Sequence, residues 1–127
     1  MLGELTTTHG ETVVCDLEAG VGTLLRMHPG HADVVLVACE PAVKSIEVAR
    51  RAASIASERA AVTVVANRLR GPQDADEIRS ALPGHQFVTL PEEPTIMAAD
   101  RDGVAPIDAA PDAPGVRAIV ALARRFR

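Results

Sequence analysis

Residues 33–66, DVVLVACEPAVKSIEVARRAASIASERAAVTVVA, decide the fold of this chain. The stretch begins and ends with apolar runs, 33–39 and 61–66, that do not alternate strictly with polar residues. Such continuous runs are typical of strands covered on both faces, as in parallel sheets. Residues 42–59 between them have helical spacing, with one apolar side formed by Ile46, Ala49, Ala53 and Ala56. The stretch therefore predicts a strand, a helix and a second strand.

The same alternation extends over the rest of the chain. Apolar runs at 12–15 and 86–90 predict two more strands, and residues 104–114, rich in proline, predict an extended loop. Further helices are predicted over 74–82, 94–101 and 115–126. Strands that alternate with helices form mostly parallel sheets with helices on both faces. We therefore expect the 127 residues to form one α/β domain with three layers (α/β/α) and about four strands.

Composition argues against several classes of partner. The net charge is −4 and the pI is about 5.5, which disfavours a nucleic-acid binder or a binder of acidic membranes. No apolar stretch reaches the ~18 residues that cross a bilayer, and the N-terminus lacks the pattern of a signal peptide. Cys15 and Cys39 each lie inside an apolar run and are expected to be buried, reduced thiols. These features predict a cytoplasmic protein.

Ligands of open α/β sheets bind at the carboxyl ends of the strands. Three of the predicted strands are followed by segments to consider for binding: 16–22, which includes Asp16 and Gly20, then 67–70, which begins with Asn67, and then 91–94, which begins with Pro91 and Glu92. Asp16 and Asn67 also have a plainer interpretation, because Asp and Asn stabilise turns at strand ends. Glu40 and Pro41, which follow the remaining strand, are expected to serve only as the entry to a helix.

Four stretches in this order resemble the MinD/ParA-type P-loop ATPases: VVCDLEAGVGTLLR (13–26), DVVLVACEPAVKSIEVARR (33–51), VTVVANRLR (62–70) and VTLPEEPTIMAADRDGVAPI (88–107). Within that family they are most similar to the accessory ATPases that help nickel insertion into carbon monoxide dehydrogenase. The resemblance covers nearly the whole chain and implies a truncated P-loop NTPase fold.

The resemblance also implies roles for single residues. Asp16 would hold the magnesium ion, usually through water, and 18–20, which includes Gly20, would form a switch turn that senses the terminal phosphate. Asn67 would hydrogen-bond the adenine edge, for which an amide has both a donor and an acceptor. Pro91 and Glu92 would line the base pocket.

The chain departs from this family at the phosphate loop. The loop has the form GxxxxGK followed by Ser or Thr, and its lysine contacts the phosphates. Lys44 is the only lysine of the chain, and it follows Val43 where the loop requires glycine. We therefore expect the N-terminal half of the family's domain, with the Walker A loop, to be absent from residues 1–127. Without charge-assisted contacts to the phosphates the chain should bind nucleotide poorly.

The resemblance places the P-loop strand between the predicted strands 12–15 and 33–39, so its absence would leave a gap in the sheet. Three arrangements could close this gap: the two strands pair directly, a second copy of the chain fills it, or a separate chain supplies the missing half. The expected function is a non-catalytic or partner-dependent interaction module, working as a homodimer or with the protein that carries the P-loop. The alternative is an ATPase subunit that binds ATP and Mg²⁺, and hydrolyses ATP, only when completed. A receiver-like domain is disfavoured because no lysine ends a strand.

Overall fold

A computed structural model of the chain describes residues 10–17 and 20–126. The elements within them, in chain order, are α1 (Gly22–Arg26), β1 (Val34–Cys39), α2 (Val43–Ser57), β2 (Ala61–Leu69), α3 (Pro72–Ala81), β3 (Gln86–Pro91), α4 (Pro94–Asp102), α5 (Pro106–Ala109) and α6 (Pro114–Arg124).

The three strands form one parallel sheet in the order β1-β2-β3. The pairing of β1 with β2 begins with Val34 opposite Ala61 and runs without interruption to Cys39 opposite Ala66. Each step from one strand to the next passes through a helix, as parallel strands require. The fold class predicted from the sequence, α/β with a parallel sheet, is confirmed.

One face of the sheet is covered by α2 and α3. The helix α2 buries the four residues that the sequence placed on its apolar side, Ile46, Ala49, Ala53 and Ala56. They pack in one core with Val62, Val64 and Ala66 of β2, and with Ile78 at the inner side of α3. Ile78 and Ala56 are fully buried, so this face holds the main core of the domain.

The opposite face is only partly covered. Val65 of β2 is buried but lies outside the main core, as alternation of side chains along a strand requires. The helix α6 packs against β3 and buries Val116. Leu36 of β1 faces the same way as Val65 and remains 46% exposed. Among the described residues, the second helical layer therefore covers the β3 side of the sheet and leaves the β1 side exposed.

The predicted strand at 12–15 is not a strand in the structure, so this prediction is wrong. Residues 11–17 have no regular secondary structure, with Val13 50% and Val14 87% exposed. Cys15 is exposed as well, against expectation, whereas Cys39 is buried. Apolar β-branched residues favour a strand only where a neighbouring strand satisfies their backbone groups. The direct pairing of 12–15 with β1 is thus not what the structure shows.

The remaining differences concern the ends of elements and two short helices. The strand β2 extends three residues past its predicted end at Ala66, through an irregularity in its pairing with β3. The helices α1 and α5 were not predicted, and α5 lies within the expected loop 104–114. The helix α4 ends at Gly103, which adopts a left-handed conformation (φ 68°) that suits glycine.

Arg59 holds the short helix α1 against α2. Its Nε donates to the carbonyl oxygen of Met27 at 2.9 Å, and its Nη1 donates to the carbonyl oxygen of Ile55 at 2.6 Å. A cation at the carboxyl end of a helix also suits the helix dipole. This contact fixes α1, and with it the buried Leu24, beside the open edge of β1.

Candidate functional site

The carboxyl ends of the three strands surround a small pocket of about 230 Å³. We call it the carboxyl-end pocket, and its lining residues are Glu40, Pro41, Ala42, Arg68, Arg70, Asp74 and Glu92. Because these residues follow β1, lie at the end of β2, begin α3 and follow β3, the pocket sits where ligands of parallel α/β sheets bind.

A bulge in β2 shapes this pocket. Ala66 pairs with Thr89 but Leu69 pairs with Pro91, so Asn67 and Arg68 lie opposite a single residue of β3. Arg68 has φ +57°, and among the residues that the structure describes no other non-glycine residue has a positive φ. This conformation is uncommon for a residue with a Cβ, which makes the bulge a candidate functional feature.

Ion pairs join the ends of all three strands across the pocket. Arg68 Nη1 lies 3.5 Å from Glu40 Oε1, and Arg68 Nη2 lies 3.8 Å from Glu92 Oε1. Arg70 Nε lies 3.2 Å from Glu92 Oε2. The backbone N–H of Arg70 donates to Asp74 Oδ2 at 2.8 Å, which fixes the entry to α3. Both oxygens of the Glu92 carboxylate therefore face an arginine.

The predicted base-pocket residues are brought to this end of the sheet, but only Glu92 lines the carboxyl-end pocket. Asn67 is partly buried within the bulge, and Pro91 is exposed at the end of β3. Glu40 does more than the helix entry expected of it, since it pairs with Arg68. The sequence analysis missed Arg68 and Arg70; their place directly after Asn67, at a strand end, was the available signal.

A second concave region follows the outer edge of β1. We call it the edge groove; it measures about 510 Å³ and is lined by Leu17, Gly20, Leu24, Val35, Leu36, Val37, Ala38, Lys44, Ser45, Val48, Ala49 and Ala52. Gly20 has φ +98°, which favours glycine at this turn. Gly20 thus lies in a different concave region from Glu92.

Asp16, the predicted magnesium ligand, is exposed and precedes Leu17 of the edge groove. Glu18 and Ala19 of the predicted switch turn lie outside the described residues. Within residues 10–17 and 20–126, no group of three or more His, Cys, Asp or Glu side chains could hold a metal ion. Magnesium is commonly bound by one or two carboxylates together with substrate phosphates. Asp16 therefore fits magnesium only as a partner of a bound phosphate.

Glu93, next to the pocket residue Glu92, ties two helices together. Its Oε1 accepts from the backbone N–H of Thr95 at 3.2 Å and from Thr95 Oγ1 at 2.8 Å, which caps α4. Its Oε2 accepts from the backbone N–H of Gly115 at 3.0 Å, near the start of α6. The hydrogen bond from Gly115, followed by those from Thr95, lowers the pKa of Glu93 below its ordinary value of 4.5.

The lowered pKa of Glu93 predicts that this carboxylate stabilises the domain at neutral pH and loses that effect in acid. A carboxyl group with a lower pKa in the folded state stabilises above its unfolded pKa, and the effect disappears as the pH falls through the folded pKa. We expect Glu93→Gln to be less stable than the parent chain at pH 7, with the difference narrowing below pH 4.5. Urea unfolding of both proteins from pH 7 to pH 3 measures this difference in the free energy of unfolding. A difference that stays constant across that range would contradict the assignment.

In the described part of the chain, no helix has the length and apolar character needed to cross a membrane.

No protein-family model matches the chain, and no curated protein sequence matches it. Among solved structures, the chain is similar to the MinD cell division protein of Aquifex aeolicus, with 26% identity and a TM-score of 0.63. The match takes in 75% of this chain and 44% of the MinD chain, so this chain corresponds to less than half of that protein. The fold is MinD-like.

Proposed function

We propose that this chain is the base-side half of a MinD/ParA-type nucleotide domain and acts as a partner-dependent interaction module. Its partner would be a polypeptide segment that carries the glycine-rich phosphate loop and adds a parallel strand to the outer edge of β1. The observation that carries this proposal is the edge groove, which lies along that edge. Within the described residues, β1 pairs with β2 alone.

Among the described residues, the edge groove runs beside β1 where a further strand would pair. Four consecutive residues of β1, Val35–Ala38, line it. Side chains of consecutive strand residues point to opposite faces, so a groove touched by all four runs along the backbone edge and not over one face. Val48, Ala49 and Ala52 of α2 would cover one face of an added strand. A parallel strand is normally covered on both faces, and an open apolar edge is a binding surface for another chain.

The lining of the groove supports a strand from the phosphate-loop segment as its occupant. Leu17 and Gly20, from the segment that the resemblance places beyond the P-loop strand, line the groove together with β1. The start of that segment is attached elsewhere, since Thr12 Oγ1 donates to the carbonyl oxygen of Phe126 at 3.0 Å. An inserted strand would supply the missing sheet partner for 12–15.

A second copy of this chain is the other occupant to consider. Two β1 edges related by a two-fold axis would pair antiparallel, because such an interface brings the same surface together from both copies. The described sheet is parallel throughout. A homodimer through this edge would therefore form a mixed sheet, and we propose the phosphate-loop segment as the partner in preference to it.

The completed domain would bind ATP and Mg²⁺ between the two halves. Asp16 would contribute the carboxylate on the magnesium side, Gly20 the turn at the phosphate, and Asn67, Pro91 and Glu92 the walls of the base site. The order of the sequence motifs favours a cytoplasmic accessory ATPase of the nickel-insertion type. Whether the loop comes from an adjoining segment or a separate chain, hydrolysis belongs to the complete domain only.

Mg-ATP binding should depend on the partner. We expect titration calorimetry to show no micromolar binding of Mg-ATP by the purified chain, because the chain has one lysine and no glycine-rich loop to hold phosphates. With the polypeptide encoded directly upstream added, or fused in frame, micromolar binding should appear. Micromolar binding by the chain alone, or none with the upstream polypeptide, would contradict the proposal.

Light scattering on the same samples distinguishes the two possible occupants of the edge groove, the phosphate-loop segment and a second copy of the chain. We expect the chain alone to be a monomer and the mixture to be a one-to-one complex. A stable homodimer that excludes the upstream polypeptide would identify the second copy as the occupant. Measuring ATP hydrolysis by the complex then distinguishes an ATPase subunit from a module that binds without catalysis.

A further inference from the structure

The carboxylate of Glu92 is engaged on both sides by arginines. Arg68 Nη2 lies 3.8 Å from Oε1, and Arg70 Nε lies 3.2 Å from Oε2. The Glu92 side chain is 32% exposed and lines the carboxyl-end pocket. A carboxylate at the base site of a nucleotide domain would otherwise offer two acceptor oxygens to the ligand.

Two free carboxylate oxygens suit guanine and do not suit adenine. Guanine has two neighbouring donors on one edge, N1–H and the N2 amino group, and a carboxylate can accept from both. Adenine has a hydrogen-bond acceptor at N1. A carboxylate repels this acceptor, whereas a guanidinium attracts it because all of its nitrogens are donors. Paired hydrogen bonds of this kind discriminate strongly between bases.

We infer that Arg68 and Arg70 set the base specificity of this pocket by occupying the Glu92 carboxylate, so that the site prefers adenine and disfavours guanine. The inference rests on the proposed role of the chain as the base-side half of a nucleotide domain. It assigns to the two arginines a function that is separate from the docking of a strand at β1.

The backbone holds both arginines in this arrangement. The left-handed conformation of Arg68 in the bulge places its guanidinium between the ends of β1 and β3, where Glu40 anchors its other nitrogen at 3.5 Å. The hydrogen bond from the N–H of Glu92 to the carbonyl oxygen of Leu69, 2.9 Å long, joins the two strands beside the ion pairs. Asp74 fixes the backbone of Arg70.

The dimensions of the pocket agree with recognition of a base alone. Its volume of about 230 Å³ is below the roughly 300–1,000 Å³ of sites that enclose drug-sized ligands. It is therefore too small to enclose a whole nucleoside triphosphate. The ion pairs are partly exposed, with Arg68 47% and Arg70 77% accessible, so each is weak by itself. Their effect on specificity comes from holding the acceptor oxygens of Glu92, not from stabilising the domain.

The test compares AMP and GMP, which share the same phosphate, on the ¹⁵N-labelled chain alone by NMR titration up to millimolar concentrations. In the parent chain, AMP should shift the backbone amide signals of Glu92 and Arg70 more than GMP does. In Arg68→Gly/Arg70→Ala, GMP should bind about tenfold more tightly than in the parent chain, as expected for one carboxylate–guanine pair. Glycine suits the backbone at 68, and Arg70 is exposed, so the double variant should fold.

Two further variants make the outcome decisive. Adding Glu92→Gln to the double variant should abolish the gain in GMP binding, because the amide offers one acceptor and a repelling donor. Arg101→Ala/Arg117→Ala removes the same charge from exposed positions elsewhere and should leave both affinities unchanged. The inference is wrong if GMP binding does not rise, if the rise survives Glu92→Gln, or if the Arg101/Arg117 variant shows the same rise. Because this titration needs no partner, its outcome is independent of strand docking at β1.

Discussion

Replacing Gly115 with alanine should lower the free energy of unfolding by about 1–3 kcal/mol, the usual cost of forcing extra atoms into a packed site. The expected sign is opposite to that of helix propensity, since alanine ordinarily stabilises a helical position relative to glycine. Gly115 is buried in the first turn of α6. A Cβ at this position would overlap the Cβ of Glu93 and lie 2.8 Å from its Cγ.

The overlap matters because these atoms of Glu93 cannot move independently of its hydrogen bonds. Its carboxylate accepts from the N–H groups of both Thr95 and Gly115, so a displaced Glu93 also loses the cap of α4. Since α4 follows directly from the pocket residue Glu92, the same substitution should broaden the NMR signals of the carboxyl-end pocket. Urea unfolding of the parent chain and of Gly115→Ala measures the change in the free energy of unfolding.

Gly22→Ala is the matched control for this prediction. Gly22 also lies in the first turn of a helix, and a Cβ there would meet no heavy atom within 4 Å. We expect this substitution to leave stability unchanged or to raise it by up to about 1 kcal/mol, the difference in helix propensity between alanine and glycine. In a Glu93→Gly background, which removes the Cβ as well as the carboxylate, the cost of Gly115→Ala should largely disappear. An equal cost with and without Glu93 would show that some other contact is responsible.

The sequence predicted the parts of this fold that depend on local pattern. The apolar side of α2 and the three paired strands follow from spacing and β-branched content, which each segment carries in itself. Residues 12–15 have the same content but no strand, because a strand needs a neighbour to satisfy its backbone groups. The helices α1 and α5, of five and four residues, are too short to be stable outside their tertiary context, so no local pattern predicts them.

The candidate site was predictable in position but not in composition. The predicted strand ends point to Glu92 and to the neighbourhood of Asn67, which the structure places at the carboxyl end of the sheet. Arg68 could not be placed, because its direction depends on a bulge that is defined only by the register of β2 against β3. The contact of Glu93 with Gly115 spans 22 residues and joins separate helices, so neither residue reveals it alone.

Leu36→Glu should weaken the complex between this chain and the upstream polypeptide by roughly a hundredfold in Kd, or about 3 kcal/mol. Leu36 lines the edge groove and is 46% exposed, so a carboxylate there is hydrated in the isolated chain and should change its stability by less than about 0.5 kcal/mol. A strand docked on β1 would remove that water and leave the charge without a partner. Calorimetry of the complex and urea unfolding of the chain measure the two effects separately.

Val104→Glu is the matched control for the edge groove. Val104 is 48% exposed, similar to Leu36, and lies between α4 and α5, outside the residues that line the groove. The substitution adds the same charge, so it should leave the affinity of the complex within about twofold of the parent value. If both variants bind the upstream polypeptide as tightly as the parent chain, the partner does not dock along β1. If both lose binding equally, net charge and not the groove controls the association.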